Sequence, residues 1–430
     1  MHCDFGTLKR HCATSIGLAA MFVLPAWGQA GGTMEELRVQ VEALRAEQVR
    51  VAEQQQQIDA KLRALEARLS VRATASEAAP ANTLPAGGVD AQPRLSVSAD
   101  LRLRYQGDYS DANLHGRSSG QVRGRFGATY AVTDRLTIGA RMATGDPDDP
   151  NSTDAQLSNF DDDLDIALDL AYARIDFGNV NLYGGKIPQP FARTDLVWDS
   201  DVNPQGLGAT YKRALADGSA LRAGGLFFIV DEQAAADSTM AGGQVGYDSA
   251  ARGDWKYDVS AAYYDYRLGS VAGADAGDFR SNLRTADGSY RSDFDLGDLL
   301  VGVTWSGAGA RWAVRVVGDY VHNFGARTAA DTGYGIDVAV GRAGRPHDWR
   351  VTYGYSVAET DSVLAAFSHD NIGIATNYRL HALTLDYVPW PDTLVSAIWY
   401  HYRQDQALDA GANDVNDWLD RVRIALLMSF

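Results

Sequence analysis

The chain has 430 residues, with 39 Lys and Arg against 55 Asp and Glu, a net charge of −16, and 46% hydrophobic residues. Beyond its first segment no uncharged apolar run approaches the roughly 18 residues that a membrane helix needs, which excludes a helical membrane protein. The acidic balance argues against nucleic acid as a partner. Gly 43, Tyr 20 and Trp 9 are high for a helical protein and favour strands, turns and interfaces.

Residues 1–30 read as a secretory signal peptide. Lys9, Arg10 and His11 precede an apolar stretch from Ala13 to Trp27, and Gly28-Gln29-Ala30 offers small residues around a cleavage point. The only cysteines, Cys3 and Cys12, fall in this segment, so a cleaved chain has no disulfide, thiol catalysis or cysteine metal site. Residues 31–70 change period. Met34, Leu37, Val41, Leu44, Gln48, Val51, Gln55, Ile58, Leu62, Leu65 and Leu69 alternate spacings of three and four, with polar residues between them and no Gly or Pro. That is a heptad seam of about five repeats and predicts an α-helical coiled coil, with Gln48 and Gln55 as polar core positions that set register. Residues 71–93, rich in Ala, Pro, Thr and Gly, read as a linker.

From residue 94 to 430 the period is two. Leu95, Val97, Ala99, Leu101, Leu103 and Tyr105 alternate with Ser96, Ser98, Asp100, Arg102, Arg104 and Gln106. This strand is about twice the usual length in soluble sheets. Val122, Phe126, Ala128 and Tyr130 repeat the pattern, as do Leu136, Ile138, Ala140 and Met142. Parity slips between Leu170 and Ile175 and between Leu380 and Leu385, which predicts a bulge or a strand rising above the membrane at each place. Tyr257, Tyr263, Tyr264, Trp305, Trp312, Tyr353, Tyr355, Trp390, Trp399 and Tyr400 stand near strand ends and are expected to form interface girdles.

The separators alternate in length. Short ones fall at 132–134, 178–179, 216–218, 249–253, 306–309, 344–347 and 389–392. Long ones fall at 107–119, 146–163, 188–205, 231–238, 268–294, 325–331, 359–370 and 405–416. Seven short turns and eight long loops predict an all-β fold, a transmembrane antiparallel β-barrel of about sixteen strands. An even count sets both barrel ends on the periplasmic side, with the coiled coil.

The last strand places Val422, Ile424, Leu426, Met428 and Phe430 at every second position, with Arg421 and Arg423 between. This resembles the C-terminal signature of outer-membrane proteins and implies the barrel-assembly machinery as a partner. The stretch Gly184-Gly185-Lys186-Ile187-Pro188-Gln189-Pro190-Phe191, followed by Trp198-Asp199-Ser200-Asp201-Val202-Asn203-Pro204-Gln205-Gly206-Leu207, resembles the region after the fifth strand in the proteobacterial "putative porin" family. That family is similar in layout to sixteen-stranded trimeric porins, some phosphate-selective with an N-terminal coiled coil. The resemblance implies a homo-oligomer, a trimer, and a 188–205 loop folded into the barrel. The acidic barrel segment departs from the lysine- and arginine-rich lumen of phosphate-selective channels.

With the apolar faces toward lipid, Arg102, Arg104, Arg123, Arg125, Arg141, Arg421 and Arg423 face the lumen. They stand on the first three strands and the last, neighbours once the barrel closes, and are expected to form one basic wall. Asp195, Asp199 and Asp201 of the loop are candidates to face it across a constriction, with Lys186 and Arg193 shifting the balance locally. Solvated lumen arginines balanced by local carboxylates are the plainer alternative. The acidic loop carrying Asp146, Asp148, Asp149, Asp154, Asp161, Asp162 and Asp163 lacks the Gly and Glu of a calcium loop and reads as solvated.

No H-E-x-x-H or G-x-x-x-x-G-K motif is present, and the histidines after residue 30 are scattered singly. The expectation is a porin in the bacterial outer membrane: not an enzyme, with no cofactor and no metal, passing small hydrophilic solutes or ions by diffusion. Two alternatives stand beside it. One is a barrel-anchored envelope tether whose working part is the periplasmic coiled coil, and the other is a substrate-specific, anion- or phosphate-like channel. Outer-membrane lipid, lipopolysaccharide and peptidoglycan are the further expected partners.

Overall fold

The computed structural model describes residues 94–110, 116–157, 164–274, 276–279, 281–407 and 415–430. The expected signal peptide, heptad helix and linker lie outside the described residues.

The alternating stretches form sixteen long strands: β1 (Leu95–Ser110), β2 (Arg117–Ala131), β3 (Leu136–Thr144), β4 (Ile166–Asp176), β5 (Val180–Lys186), β6 (Gln205–Ala214), β7 (Ala220–Asp231), β8 (Ser238–Asp248), β9 (Trp255–Leu268), β10 (Phe294–Trp305), β11 (Val314–Asn323), β12 (Thr332–Gly341), β13 (Trp349–Ala358), β14 (Tyr378–Tyr387), β15 (Thr393–Gln404) and β16 (Leu419–Ser429). A two-residue segment, Ala155–Gln156, adds a short pairing on β2. Each strand is antiparallel to its neighbours in the chain, and β1 pairs with β2 on one edge and β16 on the other, so the sheet closes. Reciprocal backbone hydrogen bonds between Ala99 and Phe430, 2.8 and 3.2 Å, fasten the seam. Closure removes the exposed edges that an open sheet of this size would present. The short and long connections alternate as the separators predict.

The period of two sorts side chains by face. Phe126 and Ile424 are 55% and 53% exposed on the outside, whereas Gln106, Arg123 and Arg423 on the other face are buried. At Arg141 and Met142 the register of β3 on β4 shifts, so that Asp169 is the extra residue of a bulge. The expected parity slip is therefore real, but it lies just before Leu170, and it turns the Asp169 carboxylate toward Arg141. The slip expected between Leu380 and Leu385 is not a bulge, since β14 is in regular register with both neighbours. Leu380 is buried inside while Leu383 and Leu385 are exposed outside. An apolar residue belongs on the inner face there because the barrel holds apolar packing.

That packing comes from two long loops. Residues 187–204 and 359–377 bury Ile187, Phe191, Leu196, Val197, Trp198, Val202, Val363, Leu364, Phe367 and Ile372 against Leu226, Phe228, Met240, Tyr264, Tyr266, Phe294, Leu296, Leu380 and Tyr400 of the strands. Trp198 is fully buried, its ring 5.6 Å from Tyr264, 6.0 Å from Phe367, 6.3 Å from Tyr266 and 6.4 Å from Phe228. Tyr264 and Tyr400 thus belong to this interior cluster and not to an outer girdle. Tyr257, Tyr263, Tyr353, Trp312, Trp390 and Trp399 are exposed, as a girdle requires.

Candidate functional site

The loop 187–204 leaves and rejoins the sheet through the two motif glycines. Gly185 has φ 113°, and a Cβ there would meet the Ala171 carbonyl oxygen at 2.3 Å; Gly206 has φ 142°, with the Phe227 carbonyl 2.1 Å from its notional Cβ. Only glycine fits both the backbone and the space. Pro188 and Pro190 have no amide N–H to offer a ladder, so the chain departs from the sheet between the two glycines. A bond from Ile187 N to the Pro204 carbonyl, 2.8 Å, closes the neck.

Inside the barrel the loop is tied to several strands. The Gln244 side chain on β8 accepts from Ala192 N and donates to its carbonyl, both at 2.8 Å. The Thr194 hydroxyl donates to Asp319 on β11. Asp199 N donates to the Phe367 carbonyl of the second loop at 2.8 Å, and Asn203 donates to Asp169 at 2.7 Å. The second loop is tied in turn by Asn282, which donates to the carbonyls of Thr360 and Val363 at 2.7 and 3.0 Å. Asp361 accepts from Ser292 at 2.6 Å.

Around this plug stands the arginine arc. Arg102 and Arg104 both reach Asp154, the former at 2.7 Å. Arg123 and Arg125 share Asp100, at 3.1 and 2.7 Å, and approach Asp201 at 3.9 and 3.3 Å. Arg141 pairs with Asp169, and Arg421 with Asp108 at 2.5 Å. Arg423 donates to Gln106 and Asn371, both at 2.8 Å. All seven arginines therefore share one arc, and six are ion-paired.

The partners differ from those expected in three respects. Asp201 alone of the three loop aspartates touches the arc, and it does so in direct contact. Asp195 reaches it only through Asn371, which donates to Asp195 at 3.1 Å and accepts from Arg423. Asp199 is buried, its carboxylate accepting from Asp201 N at 2.8 Å. Lys186 and Arg193 donate to loop carbonyls, Asn203 at 3.1 Å and Ser200 at 2.8 Å. Asp154, placed by sequence in a solvated loop, is instead folded inward with 5% of its side chain exposed. No spacing in the sequence pairs it with strands fifty residues away.

Charge follows from these contacts. Burial works against ionised Asp154, but the Arg104 and Arg102 guanidiniums outweigh it and hold the carboxyl below its ordinary value. Asp195 lies among fewer cations: burial first, then the Asp370 carboxylate, pushes it up to about 6. Asp199 is raised by burial and by the same acidic neighbours.

On the short-turn side of the loop lies a cavity of about 530 Å³ lined by Arg193, Asp195, Asp258, Arg315, Asp319 and Asp337, with Tyr378 and Tyr400 among its walls. Among the described residues no His, Cys, Asp and Glu cluster has the geometry of a metal site. No helix there is long and apolar enough to cross a membrane.

The fold is similar to that of Pseudomonas putida OprB, with a TM-score of 0.52 at 10% identity, covering 78% of this chain and 94% of that one. Salmonella typhi OmpF, solved with daunomycin, gives 0.49 at 13% identity over 78% and 97%. The trimer form of Vibrio cholerae OmpT gives 0.46 at 13% over 79% and 100%. A search of curated proteins finds no match. A family model described as "Putative porin" matches residues 110–294, a span from the end of β1 to the start of β10 that holds both motif stretches, and so places the resemblance of this porin-like barrel in that family.

Proposed function

We propose that the chain is an outer-membrane channel that passes small hydrophilic solutes by diffusion, with no chemical step. One observation carries this reading: a closed barrel that is apolar outside encloses a charged lumen, narrowed by a loop pinned to the opposite wall. An apolar exterior needs lipid around it, and a polar interior needs water within it. The two interior loops leave less room than an unobstructed sixteen-stranded barrel, so the channel is narrow. The barrel supports the outer membrane as its location, lipid and lipopolysaccharide as its surroundings, and the barrel-assembly machinery as its route there. The same reading makes the heptad helix at 31–70 a periplasmic oligomerisation or peptidoglycan-reaching element, and the assembly a trimer. It assigns no cofactor and no catalytic residue.

The test is swelling of proteoliposomes carrying the folded full chain in a series of uncharged sugars. Entry of monosaccharides with exclusion of larger sugars is expected. Absence of swelling with any solute, from a barrel shown folded by heat-modifiable migration, would overturn the reading.

A further inference from the structure

Most aspartates on the inner strand faces meet an arginine: Asp100, Asp108, Asp169, Asp248, Asp258 and Asp386 each do. Asp298 on β10 and Asp319 on β11 have no ion-pair partner among the described residues. They are diagonal neighbours, since Leu300 stands opposite Asp319 and Asp298 opposite Val321 in the ladder. Both are buried, at 6% and 7% exposure. One oxygen of each is held by a neutral donor. Asp319 Oδ2 accepts from the Thr194 hydroxyl, and Asp298 Oδ2 from the Tyr264 hydroxyl at 3.4 Å. The two Oδ1 atoms are out of reach of every other donor, and the carboxyl groups are hydrogen-bonded to each other.

An ionised carboxylate accepts hydrogen bonds and cannot donate one, so a bond between two carboxyl groups needs a proton on one of them. Two carboxylates in contact, out of water and without a cation, do not both stay charged. The pair is also placed to act on the loop. Thr194 belongs to the loop 187–204, and the Tyr264 ring lies 5.2 Å from Phe191 and 5.6 Å from Trp198 of the same loop. Around the pair stand Arg193 and Asp195 on the loop, Tyr264 on β9, Arg315 on β11 itself, Asp337 on β12 and Tyr378 on β14. Arg315 is held by Asp258 at 2.8 and 3.0 Å, and Arg193 by the Ser200 carbonyl at 2.8 Å, so neither cation is free to replace the proton.

We propose that Asp298 and Asp319 hold one proton between them, and that this proton latches the constriction loop to the barrel wall. With the proton in place the pair is a fixed point for Thr194 and Tyr264. In alkaline solution hydroxide removes the proton as water, through the cavity that Asp319 lines, and leaves two carboxylates in contact. They part and hydrate, and the loop loosens from that wall. The proposal rests on the channel reading above for its effect on current, but not for the proton.

Two measurements test it. Infrared difference spectroscopy of the folded, detergent-solubilised full chain at neutral pH reads the proton whether or not the barrel conducts. The spectrum of the parent minus that of Asp298→Asn is expected to contain the carbonyl stretch of a protonated carboxyl. In planar bilayers, raising the pH is expected to increase the open-level current noise severalfold in the parent chain. Asp298→Asn, whose amide donates to Asp319 at every pH, is expected to stay at its neutral level. Asp319→Asn removes the other half of the pair and is expected to abolish the same step, so it serves if Asp298→Asn does not fold. A difference spectrum without the protonated band, no alkaline step in a conducting parent, or a step that persists in these variants would overturn the proposal. The band in a folded barrel that carries no current at any pH would overturn the channel reading alone.

Discussion

Asp154 lies 2.7 Å from Arg102, fifty-two residues earlier in the chain, and the same carboxylate also takes Arg104. One loop aspartate therefore holds two arginines whose side chains are only 17% and 9% exposed.

Asp154→Asn would leave both guanidiniums without their anion. Removing one partner of a buried pair is expected to destabilise the barrel by about 3 kcal/mol, at the lower end of the range for such groups because the lumen is wet. Denaturant unfolding followed by tryptophan fluorescence checks the size. The depressed Asp154 carboxyl also sets a sign. Its contribution stands above the ordinary carboxylate value and is lost as pH falls through the lower folded value, so acid weakens the parent chain more than the variant.

Asp195 runs the other way. Arg193, Asp199 and Asp201 of its own loop surround it, with Asp370 and Asn371 from the second loop, Asp337 from β12, and Tyr378 and Tyr400 from the wall. An aspartate whose folded pKa lies above its unfolded value costs stability once the unfolded chain ionises. The loop is therefore held less firmly as pH rises from about 4 toward the folded value, and equally above it. Ionisation through about 6 also adds a negative charge to the lumen. Reversal potentials are expected to move toward cations across that value, and Asp195→Asn is expected to flatten the step.

Trp198 is the centre of the interior packing. Trp198→Ala removes a fully buried ring that touches four other aromatics and is expected to cost about 3–5 kcal/mol of loop anchoring. The loop then samples positions away from the wall. Single-channel records are expected to show larger and noisier conductance in the variant, and a quiet, unchanged level would count against the loop as the constriction.

Gly206→Ala probes the hinge. Its φ of 142° and the carbonyl 2.1 Å from a notional Cβ leave an added methyl no room. Strain of about 1–3 kcal/mol is expected, together with a reduced yield of heat-modifiable barrel and a displaced loop. The same change at Gly184, whose nearest neighbour is the flexible end of Leu207 at 3.5 Å, is expected to be mild.

The barrel was legible in the sequence because the face of each side chain and the length of each connection are local properties. Alternation across Leu95–Tyr105 and the short and long separators needed no knowledge of distant residues. Gly185 and Gly206 were visible as part of a motif, though their reason, a carbonyl against each α-carbon, was not. What escaped is non-local. Tyr264, Tyr400 and Leu380 read as girdle or bulge residues, because period two distinguishes faces without saying that an inner face meets a folded loop. Asp100, Asp108 and Asp169 meet the arc from neighbouring strands and Asp154 from a loop, and none is marked as its partner in the sequence, because neither cross-strand register nor loop placement leaves a spacing signal. Of the second interior loop, 359–377, the sequence shows only the long separator 359–370, with the run of small and apolar residues from Val363 to Phe367 as its one further trace.

Whether this barrel conducts is directly measurable. The most direct measurement is single-channel recording of the folded full chain in a planar bilayer. Stable, repeated conductance steps, smaller than those of an unobstructed sixteen-stranded pore and enlarged by Trp198→Ala, are the predicted result. A folded, heat-modifiable barrel that gives no steps in either form would contradict the account.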